Sequence, residues 1–290
     1  MAPQKANHSR SSSVPSLPHP IAIKAAEKLR NLKTYIHGAE ASFSTICTLL
    51  GSLADLFDSL HLLLRLPSLQ HLLAQPLHKP WLEAQLDCSL QLLDIESPVN
   101  DCLASVKSFV FDVQSALRRR GDNSHVNSRK KAQKENVTCS KSLKKMEEGF
   151  AIAALVEKEG DLMMLDWFMR EARETTVTVF HLLLNLLEIP ARRKDRGKRI
   201  LLVPKAMQWR RGGSAERNGG VSKVVGLESI LNAAFECISG KDEGFGNLQR
   251  KAHADVSQIE AGIEDLEIGL QCLFRRMIQN RVALLNMLSF

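Results

Sequence analysis

The side chains that could do chemistry in this 290-residue chain are scattered histidines, cysteines and carboxylates. His61, His71, His78 and Cys88 are residue types that bind zinc. Loops and incompatible helical turns separate them, which argues against a shared metal ion. His181 lies in an apolar stretch, where a hydrogen-bonded core histidine is the expected role. We therefore predict no metal site and no cofactor.

Catalytic motifs are also missing from the sequence, which contains no GxSxG, GxxxxGK[ST], GxGxxG or HExxH pattern. The carboxylates of Glu264, Asp265 and Glu267 fall on the solvated side of a helical stripe. The six cysteines are widely spaced and form no CxxC pair, which argues against a disulfide framework and favours a reducing compartment. We expect a protein that binds rather than catalyses; an enzyme with an unfamiliar site is the distant alternative.

Helices are the elements that must position these side chains. Near the C-terminus, residues spaced alternately four and three apart predict one long helix with a buried seam. The seam comprises Ile259, Ile263, Leu266, Leu270, Leu273, Met277, Asn280 and Leu284. Asn280 is the polar exception, and an asparagine in such a seam fixes register. We expect this seam to pack inside the chain's own bundle; an intermolecular coiled coil is the alternative, and the oligomeric state is left open.

The same spacing recurs along the chain and predicts an all-α fold, an elongated multi-helix bundle with a long C-terminal heptad-patterned helix. The predicted segments are a disordered Ser/Pro-rich tail (1–20), an N-terminal helical part (21–120), a polar basic loop (121–138), a long helical segment (139–189), a basic Gly-rich linker (190–223) and C-terminal helices (224–290). The longest apolar stretch, 177–187, is too short to span a membrane.

The N-terminal tail carries a spacing that basophilic kinases recognise. Arg10 lies three residues before Ser13, and Pro15 follows at the second position after it. Phosphorylated Ser13 would suit an Arg-lined groove of the 14-3-3 type. A tail without a partner is one alternative. A plastid transit peptide is another, because residues 1–26 are rich in serine and contain no acidic residue.

The net charge of +7 is concentrated in two segments, 118–145 and 192–223. The second segment contains a cation cluster followed by a tryptophan: Arg192, Arg193, Lys194, Arg196, Lys198, Arg199, Trp209, Arg210 and Arg211. A plain solvated linker is the leading interpretation of this segment. Among the functional alternatives, interleaved apolar residues favour an anionic membrane surface over nucleic acid or a nuclear import signal. We expect a cytoplasmic protein, with the membrane periphery, the nucleus and the plastid as alternatives.

Several stretches resemble the plant-specific BYPASS-type family, in order and over nearly the whole chain. They are HSRSSSVP (8–15), LLGSLADLF (49–57), LPS (66–68), LLDI (92–95), VQSALRRR (113–120) and RVALLNMLS (281–289). The resemblance implies an all-helical plant protein associated with root and shoot development, without an established catalytic residue. The combined prediction is a regulatory interaction protein; a peripheral membrane protein docking through residues 190–211 is the alternative.

Overall fold

A computed structural model describes residues 19–38, 40–119, 125–150, 160–189, 227–239 and 246–289. These residues form helices and connecting turns and contain no strand, so the predicted all-α bundle is confirmed. The helices are α1 (Pro20–Gly38), α2 (Phe43–Leu64), α3 (Pro67–Leu73), α4 (Lys79–Leu93), α5 (Glu96–Arg119), α6 (His125–Phe150), α7 (Gly160–Leu186), α8 (Leu227–Ser239) and α9 (Gly246–Leu288), with a 3₁₀ turn at Pro76–His78 before α4.

The most apolar central helix, α2, has clear start and stop signals. The Ser42 hydroxyl accepts a hydrogen bond from the backbone N–H of Thr45 at 3.1 Å, as an N-cap does. At the other end the backbone N–H of Arg65 bonds the carbonyls of the last turn. Pro67 occupies the first turn of α3, where its missing N–H costs nothing. Helix α2 therefore ends at Leu64, and a separate helix begins at Pro67.

The long helix α9 has 43 residues, which corresponds to about 65 Å. It packs along α2 most extensively and also contacts α4, α5 and α8. Two glycines permit the close approach to α2: a Cβ on Gly262 would lie 2.6 Å from Cγ of Phe43, and one on Gly269 would lie 3.2 Å from Cδ1 of Leu50. The pair α2 and α9 forms the centre of the bundle.

The other helices pack around that central pair. Helix α1 contacts α2 and α7, α5 contacts α6 and α9, and α7 contacts α2 and α6. Their buried apolar side chains join one contiguous core, including Leu29, Leu53, Val106, Phe180 and Leu266. A single core of this kind holds the helical faces of the described residues in fixed relative positions.

The predicted loop at 121–138 and the single helical segment at 139–189 are wrong. Helix α6 begins at His125 and ends at Phe150, and α7 is a separate helix that lies against it. The Asn136 amide donates a hydrogen bond to the backbone carbonyl of Leu184 at 2.9 Å. One straight helix would hold these two residues roughly 70 Å apart.

Polar residues at buried positions explain why the start of α6 was missed. The buried side of α6 keeps the alternating four and three spacing, but several of its positions hold polar side chains. Its residues are His125, Arg129, Ala132, Asn136, Cys139, Leu143 and Met146. Arg129 and His125 lie near the ring of Phe235, at 5.3 Å and 5.5 Å. Aromatic contacts thus allow polar residues to occupy an inward-facing stripe.

Within the described residues, α2 alone has the length and hydropathy of a membrane-spanning helix. More than half of its apolar window, 56%, is buried inside the bundle. The core helix of a bundle has the same length and composition, so these two properties are weak evidence that α2 spans a membrane.

Candidate interaction surfaces

The seam of α9 is entirely buried by the chain's own helices. All eight predicted seam residues, from Ile259 to Leu284, are at most 3% exposed. Asn280 donates hydrogen bonds from Nδ2 to the backbone carbonyls of Phe57 at 2.8 Å and Arg276 at 2.9 Å. The seam therefore packs within the bundle, and surfaces for partners must be sought on other faces of the described residues.

Two predicted sites lie outside the described residues. One is the tail motif with Arg10, Ser13 and Pro15. The other is the cation cluster with its tryptophan, at Arg192, Arg193, Lys194, Arg196, Lys198, Arg199, Trp209, Arg210 and Arg211. Their roles stay predictions from the sequence.

The first basic segment, by contrast, is largely described, and it forms a lysine face on α6. The buried side of α6 packs on α5 and α7, which leaves the opposite side in solvent. Six exposed lysines share that side: Lys130, Lys131, Lys134, Lys141, Lys144 and Lys145. None of the six forms an ion pair with another described residue. The lysine face spans roughly 22 Å along the helix, because each helical residue rises about 1.5 Å.

A second surface feature is a set of exposed apolar side chains on α9. Ile278, Val282 and Leu285 are each 43–47% exposed and lie four and three residues apart, so they share one side of the helix. The inward seam of α9 occupies the other side. An exposed apolar stripe on an otherwise packed helix is typical of a surface that binds another protein.

A buried polar network joins α4 to α7, and the sequence patterns did not reveal it. The Asp166 carboxylate accepts hydrogen bonds from the Trp81 indole at 2.9 Å and the Gln85 amide at 3.3 Å. The Arg173 guanidinium donates to the Gln85 carbonyl oxygen at 2.6 Å and lies over the Phe150 ring. Burial lowers the pKa of Arg173. Asp166 and Arg173 lie seven residues apart on α7, a spacing that could have suggested a shared polar face.

The histidines of the sequence analysis fall in separate surroundings. His181 pairs with Glu147 at 3.1 Å, which links α7 to α6. His78 is buried near the start of α4, whereas His61 and His71 lie near the end of α2 and on α3. No group of three possible metal ligands occurs in the parts of the chain that the structure describes.

Three of the six cysteines pack as small apolar side chains in the core. Cys88, Cys102 and Cys139 are at most 3% exposed, and none of the six cysteines forms a disulfide. Burial raises the pKa of Cys102 and of Cys139 to about 12, which keeps both thiols protonated and unreactive at neutral pH.

The fold defines a class: an all-helical bundle built on two long apposed helices, with charged and apolar faces on its outer surface. The family model described as "Protein BPS1" matches residues 49–287, more than half of the chain. The chain therefore belongs to the BPS1 family, and the resemblance to the BYPASS-type plant family is confirmed. A search of the curated proteins and one of the solved structures found no match.

Proposed function

We propose that this protein is a regulator of plant root and shoot development that works by binding partners and not by catalysis. Family membership supports the developmental role. The binding mechanism rests on one observation, the exposed stripe of Ile278, Val282 and Leu285 on α9. These side chains stand on the outer side of the best-buried helix pair, so a partner would meet a rigid surface. An amphipathic helix of a partner protein fits such a stripe, because its own apolar positions recur at the same spacing.

Proximity labelling in plant tissue tests this surface. The double variant Ile278→Glu/Leu285→Glu places two charges in the stripe, and both positions are about half exposed, so the bundle should still fold. Phe111→Glu on α5 is the matched control, because Phe111 is 60% exposed and lies on another helix. We expect the double variant to lose specific partners that the control keeps. Identical labelling by all three proteins would remove the stripe from the proposal.

Phosphorylation of the N-terminal tail is the second element of the proposal. Arg10, Ser13 and Pro15 have the spacing of a 14-3-3-type site, and phosphoserine would add a dianion that an arginine-lined groove can bind. Ser13→Ala should remove a phosphoserine reader of this type from the partner set, with Ser9→Ala as a control in the same tail. Retention of that reader by Ser13→Ala would remove the tail from the proposal.

A second candidate function is docking on an anionic membrane surface, which the lysine face of α6 favours. Each lysine near such a surface contributes roughly 1 kcal/mol. The six lysines form no ion pair with another described residue and present their charge in one direction. The sequence-predicted segment 190–211 would add further cations. Both regions would then bind the same kind of surface.

Co-sedimentation with phosphatidylserine vesicles separates these contributions. One variant replaces Lys130, Lys134, Lys141 and Lys144 with glutamine, and its control replaces the same lysines with arginine. Another variant replaces the six cations of 192–199 with glutamine. If the α6 glutamine variant no longer sediments with the vesicles and the arginine variant still does, the result would support docking through the lysine face. Loss only in the third variant would assign docking to the segment, and a protein that never sediments would exclude this candidate.

A further inference from the structure

A groove of about 620 Å³ lies where the end of α2, helix α3 and the last turns of α9 meet. Its walls are mainly apolar and include Leu64, Pro67 and Met287. A volume of this size is typical of sites that bind small organic molecules. Of the exposed stripe on α9, Val282 also lines the groove, whereas Ile278 and Leu285 do not.

Among the polar residues that line the groove, Gln70 and Asn286 are neutral and Arg65 carries a positive charge. His61, Arg65 and His71 line it, and no carboxylate does. None of these three side chains forms an ion pair with another described residue. The carbonyls at the end of α2 would disfavour an anion. However, the backbone N–H of Arg65 already donates to the carbonyl oxygens of Leu62 and Leu63. The Arg65 guanidinium also adds a full positive charge at this helix end.

His61 is a second polar group that lines the groove. Its Nδ1 atom is buried and has no hydrogen-bond partner among the described residues. The Nε2 atom is therefore the ring nitrogen of His61 that a ligand in the groove can reach. The described residues contain no group of three possible metal ligands. We therefore interpret His61 and His71 as hydrogen-bond donors to a ligand and not as metal ligands.

We propose that this groove binds a small amphipathic monocarboxylate, a molecule with an apolar skeleton and a single carboxylate. The skeleton packs between Leu64, Pro67 and Met287, and the carboxylate pairs with Arg65 and accepts a hydrogen bond from His61. The apolar walls account for the skeleton, and Arg65, which forms no ion pair with another described residue, accounts for the charge.

The test uses the intact protein and the fluorescent probe 11-(dansylamino)undecanoic acid, displaced by dodecanoic acid or by dodecanol. Arg65→Gln removes the cation at an exposed position, and Arg118→Gln on α5 is the matched control. Ala74→Trp fills the groove from its exposed rim. Circular dichroism confirms that each variant is folded.

We expect saturable binding of one probe per chain, with dodecanoic acid displacing it at a concentration on the order of tenfold lower than dodecanol. Arg65→Gln should abolish that difference between acid and alcohol, Arg118→Gln should preserve it, and Ala74→Trp should weaken both ligands. Equal affinity for acid and alcohol in the unmodified protein would contradict the proposal. So would binding that survives Ala74→Trp unchanged, absence of saturable binding, or tighter binding of a peptide's C-terminal carboxylate.

Discussion

The Asn280 side chain of α9 donates a hydrogen bond to the backbone carbonyl oxygen of Phe57 in α2, over 2.8 Å. This bond crosses the most extensive helix pair of the bundle and sets the register of α9 against α2. The same amide group also donates to the Arg276 carbonyl, while the Asn280 Oδ1 atom is buried and has no partner among the described residues. Asn280 therefore acts through its amide hydrogens.

That asymmetry predicts different effects for two substitutions of similar size. Asn280→Asp places a carboxylate against two carbonyl oxygens and should lower the free energy of unfolding by about 3 kcal/mol at neutral pH. Asn280→Leu should change it by less than about 1 kcal/mol, because the two carbonyls keep the hydrogen bonds of their own helices. Urea unfolding followed by circular dichroism measures both. Similar losses for the two variants would show that the missing amide hydrogen bonds, which both variants share, decide the cost and not the buried carboxylate.

Two helical glycines should respond in opposite directions to alanine. Gly262→Ala should destabilise the protein by about 1–3 kcal/mol, because its Cβ would lie 2.6 Å from the Phe43 ring and force α9 away from α2. Gly51→Ala, where a Cβ would have no neighbour within 4 Å, should stabilise it by about 0.5–1 kcal/mol. Thermal unfolding of the two variants checks the close approach, and a gain with Gly262→Ala would refute it.

The buried network should tolerate the loss of its carboxylate poorly. Asp166→Ala leaves the Trp81 indole, the Gln85 amide and the Arg173 cation without that carboxylate, and should cost about 3 kcal/mol of unfolding free energy. Asp58→Ala is the control, since Asp58 pairs with Arg276 at 3.0 Å but is 42% exposed, and should cost less than about 1 kcal/mol. The urea midpoints of the two variants measure this difference. Equal losses of unfolding free energy would mean that the buried network stabilises the protein no more than the exposed ion pair does.

The buried thiols predict how stability depends on alkaline pH. The pKa of Cys102 and of Cys139 is about 12 in the folded protein, against an ordinary value of 9.0. Below pH 9 both states keep these protons. Between pH 9 and 12 the unfolded chain releases them first, so stability should fall by about 1.4 kcal/mol per pH unit for each thiol.

Urea unfolding at pH 8, 9 and 10 measures this slope. Cys102→Ala/Cys139→Ala should show a shallower fall than the unmodified protein, and Cys272→Ala, at an exposed position, should not. Parallel slopes for all three proteins would mean that the two thiols ionise alike in the folded and unfolded states.

The sequence predicted the helices whose buried positions are apolar, because four-and-three spacing is visible only where side-chain type follows burial. The seam from Ile259 to Leu284 is the clearest example. In α6 the inward positions hold His125 and Arg129, so the spacing was hidden by residue type. The spacing of apolar residues along one helix also does not indicate which helices pack together. The packing of α6 against α7 is therefore visible only in the structure.

The interaction surfaces depended on long-range packing in the same way. The excess of cations in 118–145 is evident in the sequence, but the lysine face exists only because α5 and α7 cover the other side of α6. The contact between Trp81 and Asp166 joins residues 85 positions apart and follows no local spacing. The groove brings His61 of α2 beside Ala283 of α9, again through the register of the central pair.

Complementation of root and shoot growth is the most direct test of a role in development that works through binding. A plant lacking this protein would receive the unmodified chain, the Ile278→Glu/Leu285→Glu variant or the Phe111→Glu control, each at matched abundance. We predict that the unmodified chain and the control restore growth, whereas the double variant does not. Full rescue by the double variant would contradict the account, because the α9 stripe would then be dispensable for the function proposed for it.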